Sequence, residues 1–369
     1  MTTRTSRRQL LTQSVTATAF VLAGGARAQT SAAASPAFQQ QAMLNLIRGH
    51  QTTQMISVAA KLRIADHLRD GPKTIATLAA ATGAHEDTLY RLLRTLASMG
   101  IFTEDDGMRF RLNTAGQLLL SNVPGSLRAT AEVAGQQWMW RPWGALLYSV
   151  QTGETAFNHL YGKNTFDWFS EHPDAAALFD ESQAESSHRS VQAIVTSYDF
   201  SKVRKVVDVG GGTGTLIAGI LRASPTVRGV LFDLDHVIAS ARQKFDSHLV
   251  DRCEFAGGDF FKAVPGGGDL YVMRHILHDW DNRSCQRILS TVHQAMPAKA
   301  RLLVIEDIVC GPNQPCIAKA SDINMLVRTT GGRNRTEKEY RNLLNRGGFD
   351  TARVTATQAQ SLIEAMPAR

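Results

Sequence analysis

The chain has 369 residues, enough for two domains and an extension at roughly 100–200 residues per domain. Its 43% hydrophobic and 20% charged residues are ordinary globular composition, and 29 glycines with 11 prolines exclude collagen-like and proline-rich chains. The net charge of +7 raises a nucleic-acid partner, but four of the basic residues, Arg4, Arg7, Arg8 and Arg27, lie in the first 28 residues, which hold no acid.

That first stretch has three parts. Ser6-Arg7-Arg8-Gln9-Leu10-Leu11 is a twin-arginine pattern, Ser14 to Gly25 is modestly apolar, and Ala26-Arg27-Ala28 offers small residues before Gln29. Residues 1–28 resemble a twin-arginine export signal, which implies a periplasmic or exported protein. The alternative is an upstream extension, with Met43 as the true start of a cytoplasmic enzyme. The apolar run is about 12 residues, too short to span a bilayer core, and no later segment is longer and as apolar, so no stable membrane insertion is expected. Residues 29–42, rich in Ala and Ser, read as a linker.

Residues 43–125 form the next module. Met55, Val58, Ala59, Leu62 and Ile64 follow a helical rhythm. Thr74 to Thr82 is a short helix stopped by Gly83. A second helix opens at Ala84-His85-Glu86-Asp87, with an apolar stripe of Leu89, Leu92, Leu93, Leu96 and Met99. Ile101 to Glu104 and Phe110 to Asn113, joined through Asp105-Asp106-Gly107, read as a hairpin. Together these make a winged helix-turn-helix. A DNA-reading second helix needs basic or amide groups facing the groove. This one presents His85, Glu86, Asp87, Thr88, Arg91 and Arg94, acidic where a phosphate would approach, so a packing module for dimerisation is expected rather than a nucleic-acid partner.

Residues 126–200 are helical and carry Trp138, Trp140, Trp143 and Trp168 with Phe157, Phe166, Phe169 and Phe179. Such a cluster is core or the apolar wall of a pocket for a flat substrate, with Trp168 as a candidate contact. From Lys205 the pattern changes to strands, Val206–Val209, Val230–Asp233, Asp269–Met273 and Leu302–Ile305, alternating with helices. That alternation predicts an α/β, doubly wound parallel sheet.

The first of these strands runs into Asp208-Val209-Gly210-Gly211-Gly212-Thr213-Gly214. Glycines let a backbone pass close to a ligand, and the helix that follows offers free N–H groups. Asp233 ends the next strand, where an acid accepts hydrogen bonds from ribose hydroxyls. The loop lacks the G-x-G-x-x-G spacing that carries a pyrophosphate. Asp208 adds an acid near the loop, unfavourable beside pyrophosphate and favourable beside a sulfonium or amino group. This chemistry points to S-adenosylmethionine. Asp259, in Gly257-Gly258-Asp259-Phe260-Phe261, suits an adenine amino group, and Phe260 suits its ring face.

Three ordered motifs, DVGGGTG at 208–214, GGDFF at 257–261 and HILHDW at 275–280, are joined by GGRNRTEKEY at 331–340. Through them residues 40–369 resemble the plant-type small-molecule O-methyltransferases and their bacterial relatives. The resemblance implies a homodimer with a Rossmann-like methyltransferase sheet and a winged-helix dimerisation domain, acting on a hydroxylated aromatic or polycyclic small molecule. Residues 126–369 would form the substrate-pocket segment and the catalytic domain. Gly210, Asp233, Asp259, Phe260 and Arg274 would hold the cofactor beside Asp208 and Gly212, with Trp280 near the adenine. His278 would be the general base and Glu306 would orient it. The chemistry agrees: a phenol, with a pKa near about 10, needs a positioned base, and histidine serves near neutrality. Met325 matches a position that packs on the acceptor ring. His275, about one helical turn from His278, is expected to be structural.

Two positions depart from the pattern. Asn334 stands where the family commonly has glutamate between Gly-Gly and Arg-Thr, and it cannot stabilise an imidazolium by charge. Either methyl transfer tolerates this, or the chain is a relative that uses the cofactor for decarboxylation or hydroxylation. Asp235 stands where proline is common. The four cysteines, Cys253, Cys285, Cys310 and Cys316, show no C-x-x-C spacing, so no metal site is expected. Cys310 and Cys316 flank a Gly-Pro-Asn-Gln-Pro loop; in a domain this large two ordinary thiols are expected, with a bridge between them as the alternative if the protein is exported.

Overall fold

A computed structural model describes residues 35–368; the export-signal segment 1–28 and the start of the linker lie outside the described residues. The linker expected over 29–42 ends sooner than the composition suggested, because Pro36–Ile47 is a helix. Ser35 caps it by accepting the Phe38 N–H at 3.3 Å, and proline sits at the first helical position, where its missing N–H costs nothing. Residues up to Gln51 and those from Thr52 onward fall into two units, and both sheets and the site belong to the second.

Two helices, Ile75–Thr82 and Glu86–Ser98, are joined through Gly83 at φ 68°. Their apolar stripes, Leu78 and Leu89, Leu93 and Leu96, bury against Ile64, Phe102 and Phe110. The hairpin is β2 (Phe102–Asp105) with β3 (Arg109–Leu112), and a two-residue strand, β1 (Lys73–Thr74), adds to its far side in the order β1-β3-β2. β1 is too short to leave a periodic signal in sequence.

The main sheet has seven strands: β4 (Lys205–Val209), β5 (Arg228–Asp233), β6 (Cys253–Gly257), β7 (Leu270–Arg274), β8 (Arg301–Glu306), β9 (Phe349–Ala356) and β10 (Ser361–Pro367). Their order is β6-β5-β4-β7-β8-β10-β9. β4 to β8 are parallel, and β10 runs antiparallel to both β8 and β9. The final pair extends the predicted parallel sheet with an antiparallel edge. One face packs on Ile288, Leu289 and Val292 with Tyr340, Leu343 and Leu344; the other packs on Leu216, Ile217, Ile220 and Leu221 with Ile194. Helices on both faces explain why β4 reads as an unbroken Val-Val-Asp-Val run, with every valine fully covered. The strand order reverses between β4 and β7, so a crevice opens at their carboxyl ends.

The segment 126–200 ends in the long helix Pro173–Ser197, which lies against the helix Thr215–Ala223 that follows β4. Trp138, Phe157 and Phe169 form its core, with Trp168 and Phe179 packed alongside. No helix among the described residues is long and apolar enough to cross a membrane.

Candidate active site

The carboxyl ends of β4, β5 and β7 carry the glycine loop and its surroundings. Gly210, Gly212 and Gly214 have φ of 71°, 57° and 79°, the left-handed region that glycine enters without strain. A Cβ on Gly210 would stand 2.5 Å from Ile276 Cδ1, whereas one on Gly212 would meet nothing within 4 Å. The loop is therefore packed on one side and open on the other. The Gly212 N–H donates to Asp233 Oδ2 at 2.8 Å, and the Leu234 N–H donates to Oδ1 at 2.7 Å. These bonds fix the carboxylate at the end of β5 and leave lone pairs for a ligand.

Asp208 lies beneath the loop, buried, and its Oδ2 has no hydrogen-bond partner among the described residues. Burial pushes its carboxyl up to about 7, opposed by the charge of Arg274. Arg274 itself donates to Ser187 Oγ at 2.6 Å and Ser190 Oγ at 2.8 Å, tying β7 to the long helix. Asp259 accepts the Phe261 N–H at 2.9 Å. Phe260 and Phe261 meet Trp280 edge-on at 6.1 and 4.8 Å, and Trp280 stacks on Phe166 at 6.1 Å. An open loop, a fixed acid at a strand end, a buried acid with an unmet acceptor and a nearby set of aromatic rings fit an adenosine bearing a cationic sulfonium.

His278 sits in the tight turn Leu277–Asp279 just beyond β7, and Glu306 ends β8. Both are buried, and Nδ1 lies 3.0 Å from Glu306 Oε2, a close ion-pair contact not aligned as a hydrogen bond. The His278 backbone N–H donates to Oε1 at 3.3 Å. Nε2 faces the other way, 3.5 Å from Asp279 Oδ1. Burial pulls the imidazole's pKa down, but Glu306 and Asp279 outweigh it and leave the ring raised to about 9. The same pairing holds the Glu306 carboxyl below its ordinary value against the upward push of burial.

The turn is clamped from below. Arg335, also buried, donates to Leu277 O and Trp280 O, both at 2.8 Å, and to Asn282 Oδ1, while the Arg333 N–H donates to His278 O at 2.8 Å. Arg335 belongs to the quoted GGRNRT motif, so its position was visible, but its bonds to the turn were not. Asp279 was visible only as part of HILHDW.

Other expectations fare differently. His275 is not one helical turn away: its φ of 54° folds its ring back onto His278 at 4.9 Å, with Nε2 3.3 Å from Asp307 Oδ2. His275, His278 and Glu306 bring one ligand atom each within 4.8 Å of one another, close enough to hold a metal ion. Asn334 does not reach His278; its N–H donates to Asp322 Oδ1 at 2.8 Å and its Nδ2 to Ala318 O at 3.1 Å, pinning the loop to the helix Ile317–Arg328. Met325 lies buried on that helix. Trp168 stacks on His172 at 3.7 Å within the aromatic layer. Cys310 and Cys316 are joined by a disulfide. An open surface pocket of about 570 Å³, lined by Lys61, Arg63, Trp138 and His172 among others, contains none of the predicted residues.

Comparison with known proteins returns methyltransferases, O-methylating for the most part and N-methylating in the case of an 8-amino-8-demethylriboflavin N,N-dimethyltransferase of Streptomyces davaonensis, 36% identical over 80% of this chain and 86% of that one. The family model described as an O-methyltransferase domain matches residues 143–350, and an O-methyltransferase dimerisation domain matches 44–122. The chain is 41% identical to a phenazine O-methyltransferase of Lysobacter antibioticus, over 88% of this chain and 95% of that one. It is 36% identical to a mitomycin biosynthesis 6-O-methyltransferase of Streptomyces lavendulae, over 87% and 92%. The crystal structure of LaPhzM superposes with a TM-score of 0.86 at 40% identity, covering 89% of this chain and 99% of that one. The neocarzinostatin O-methyltransferase NcsB1, solved with S-adenosyl-L-homocysteine and 1,4-dihydroxy-2-naphthoic acid, gives 0.73 at 30% identity over 86% and 96%.

Proposed function

The chain belongs to the S-adenosylmethionine-dependent O-methyltransferases, and we propose that it methylates a hydroxyl on a planar aromatic small molecule with His278 as the general base. The observation that carries this is the His278–Glu306 pair, buried at the ends of adjacent strands next to the glycine loop. Glu306 occupies Nδ1, so Nε2 is the nitrogen that takes the acceptor's proton. S-adenosylmethionine supplies the methyl group on a sulfonium whose positive charge disfavours imidazolium and favours the neutral ring. Asp208, Gly210, Gly212, Asp233, Asp259 and Phe260 hold it, with Arg274 and Trp280 at the edges. The aromatic layer of Trp138, Trp168 and Phe179, with Met325, walls the acceptor side. Labelled-methyl transfer to a panel of hydroxylated aromatics tests the proposal: the wild type transfers label and His278→Ala does not. Full turnover by His278→Ala would overturn the assignment.

The winged-helix reading of residues 43–125 goes with a homodimer. The helix Pro36–Ile47 supports it by exposing Phe38, Met43, Leu46 and Ile47; sedimentation that returned only monomer would refute it. The acidic first turn at Glu86 and Asp87 is a poor match to phosphate, which speaks against a DNA-binding role. Export through the twin-arginine route is our reading of residues 1–28, supported by the Cys310–Cys316 disulfide, a bond that persists in oxidising compartments. Mass spectrometry of the mature N-terminus tests it: a start at Gln29 agrees, and a start near Met43 contradicts.

A further inference from the structure

Among the described residues three arginine side chains are buried, and two of them have direct ion-pair or hydrogen-bond partners for the guanidinium, although the Arg128 Nε, like that of Arg328, has no hydrogen-bond partner. Arg128 pairs with Glu132 at 2.9 Å and with Glu181. Arg335 donates to three carbonyls, those of Leu277, Arg333 and Trp280, and to Asn282. The third, Arg328, is 6% exposed and forms no ion pair among the described residues, and its Nε has no hydrogen-bond partner there. It is the last residue of the helix Ile317–Arg328, one turn beyond Met325, and Thr165 holds its backbone carbonyl at 2.5 Å. The guanidinium lies over Phe179 at 5.0 Å and Trp138 at 6.0 Å from the ring centroids.

Burial lowers Arg328 to about 10, so it stays cationic at neutral pH. The acid whose field it feels is Asp279, the residue next to His278, whose carboxylate lies against His278 Nε2. The chain just past Arg328 also lies near this turn, since a Cβ on Gly332 would meet Thr329 Oγ1 together with His278 O and Asp279 O at 2.8 and 2.9 Å. Asp279 offsets the charge from a distance but forms no ion pair with it, and the planar fork of a guanidinium matches a carboxylate in two parallel hydrogen bonds. Stacking on two rings restores part of the lost hydration but supplies no anion.

We propose that Arg328 is the receiving cation for an acidic acceptor: a hydroxylated aromatic carboxylic acid whose hydroxyl meets His278 while its carboxylate meets Arg328. This rests on the acceptor reading above and narrows it to a charge class. No new bond is made at Arg328; it positions the acceptor.

The test uses a hydroxynaphthoic acid and its methyl ester, the same ring and hydroxyl with and without the charge. The wild type favours the acid in kcat/KM by about 10- to 100-fold, the range of a charge-assisted hydrogen bond. Arg328→Met removes most of that preference by raising KM for the acid and leaving the ester within a few-fold, and Arg328→Lys restores part of it. Equal use of acid and ester by the wild type, or an equal loss on both in Arg328→Met, overturns the proposal and leaves Arg328 as a stacking residue. Calorimetric binding of acid and ester needs no turnover. Acid binding that depends on Arg328 without methyl transfer would sink the functional reading alone. Acid binding equal in wild type and Arg328→Met, with matching circular dichroism, would sink this one.

Discussion

The rim of the parallel sheet and the aromatic layer beside it are built on opposite principles. At the rim, the ligand-facing groups sit at places set by local backbone, three glycines at positive φ, an acid at the end of β5 and a histidine in the turn after β7, with long-range bonds holding them there. In the aromatic layer, Trp138, Phe179 and Arg328 come together from segments some 40 to 190 residues apart. The rim is a device for one cofactor and depends on backbone geometry. The layer is a surface for a variable acceptor and depends on side chains alone, so one fold can serve many acceptors.

This contrast orders the expected effects of mutation. His278→Ala removes the base at the rim and lowers kcat about 10²- to 10⁴-fold, and it lowers the melting temperature as well because the buried Glu306 carboxylate loses its partner; a drop below tenfold in a folded variant would move the base elsewhere. Arg335→Met strips the clamp from the His278 turn and leaves the Leu277 and Trp280 carbonyls with only the weak Cys285 thiol donor and, for Leu277, a long Trp280 N–H. It should destabilise the protein by about 3 kcal/mol in denaturant unfolding, and a change under 1 kcal/mol would mean the turn stands alone. Gly210→Ala forces a Cβ toward Ile276 at an unfavourable φ, at a cost of about 1–2 kcal/mol together with weaker cofactor binding by calorimetry. Unchanged affinity would place the cofactor away from the loop. Trp168→Phe in the aromatic layer should change acceptor KM only a few-fold and leave cofactor affinity alone, because Trp168 is packed on His172.

The same contrast explains what the sequence revealed. Glycine spacing and strand-end acids are local, so Gly210, Asp208, Asp233 and His278 are found by pattern, and β4, β5, β7 and β8 stand out as short unbroken apolar runs. β9 and β10 escaped notice because their residues alternate weakly: Phe349-Asp-Thr-Ala-Arg is half polar, and β10 buries Leu362 and Ile363 in succession. The helix at Pro36 was masked by an Ala- and Ser-rich lead-in. His275 was misplaced because a left-handed residue, not a helix, sets its direction. Arg328 gave no signal, since a single arginine at a helix end is normally solvated and only its burial makes it unusual. Asn334, a substrate-side position by its place in the motif, also ties its loop to the helix Ile317–Arg328, a bond the motif alone does not reveal.

The central claim is that Glu306 tunes His278 as the base, and the pH dependence of methyl transfer tests it directly. Glu306 favours the charged ring, so wild-type activity rises with pH through a midpoint between the ordinary 6.5 and about 9. Glu306→Gln removes that stabilisation, so the midpoint must move down while the plateau rate falls about tenfold. A midpoint that stays in place, or moves up, would contradict the account.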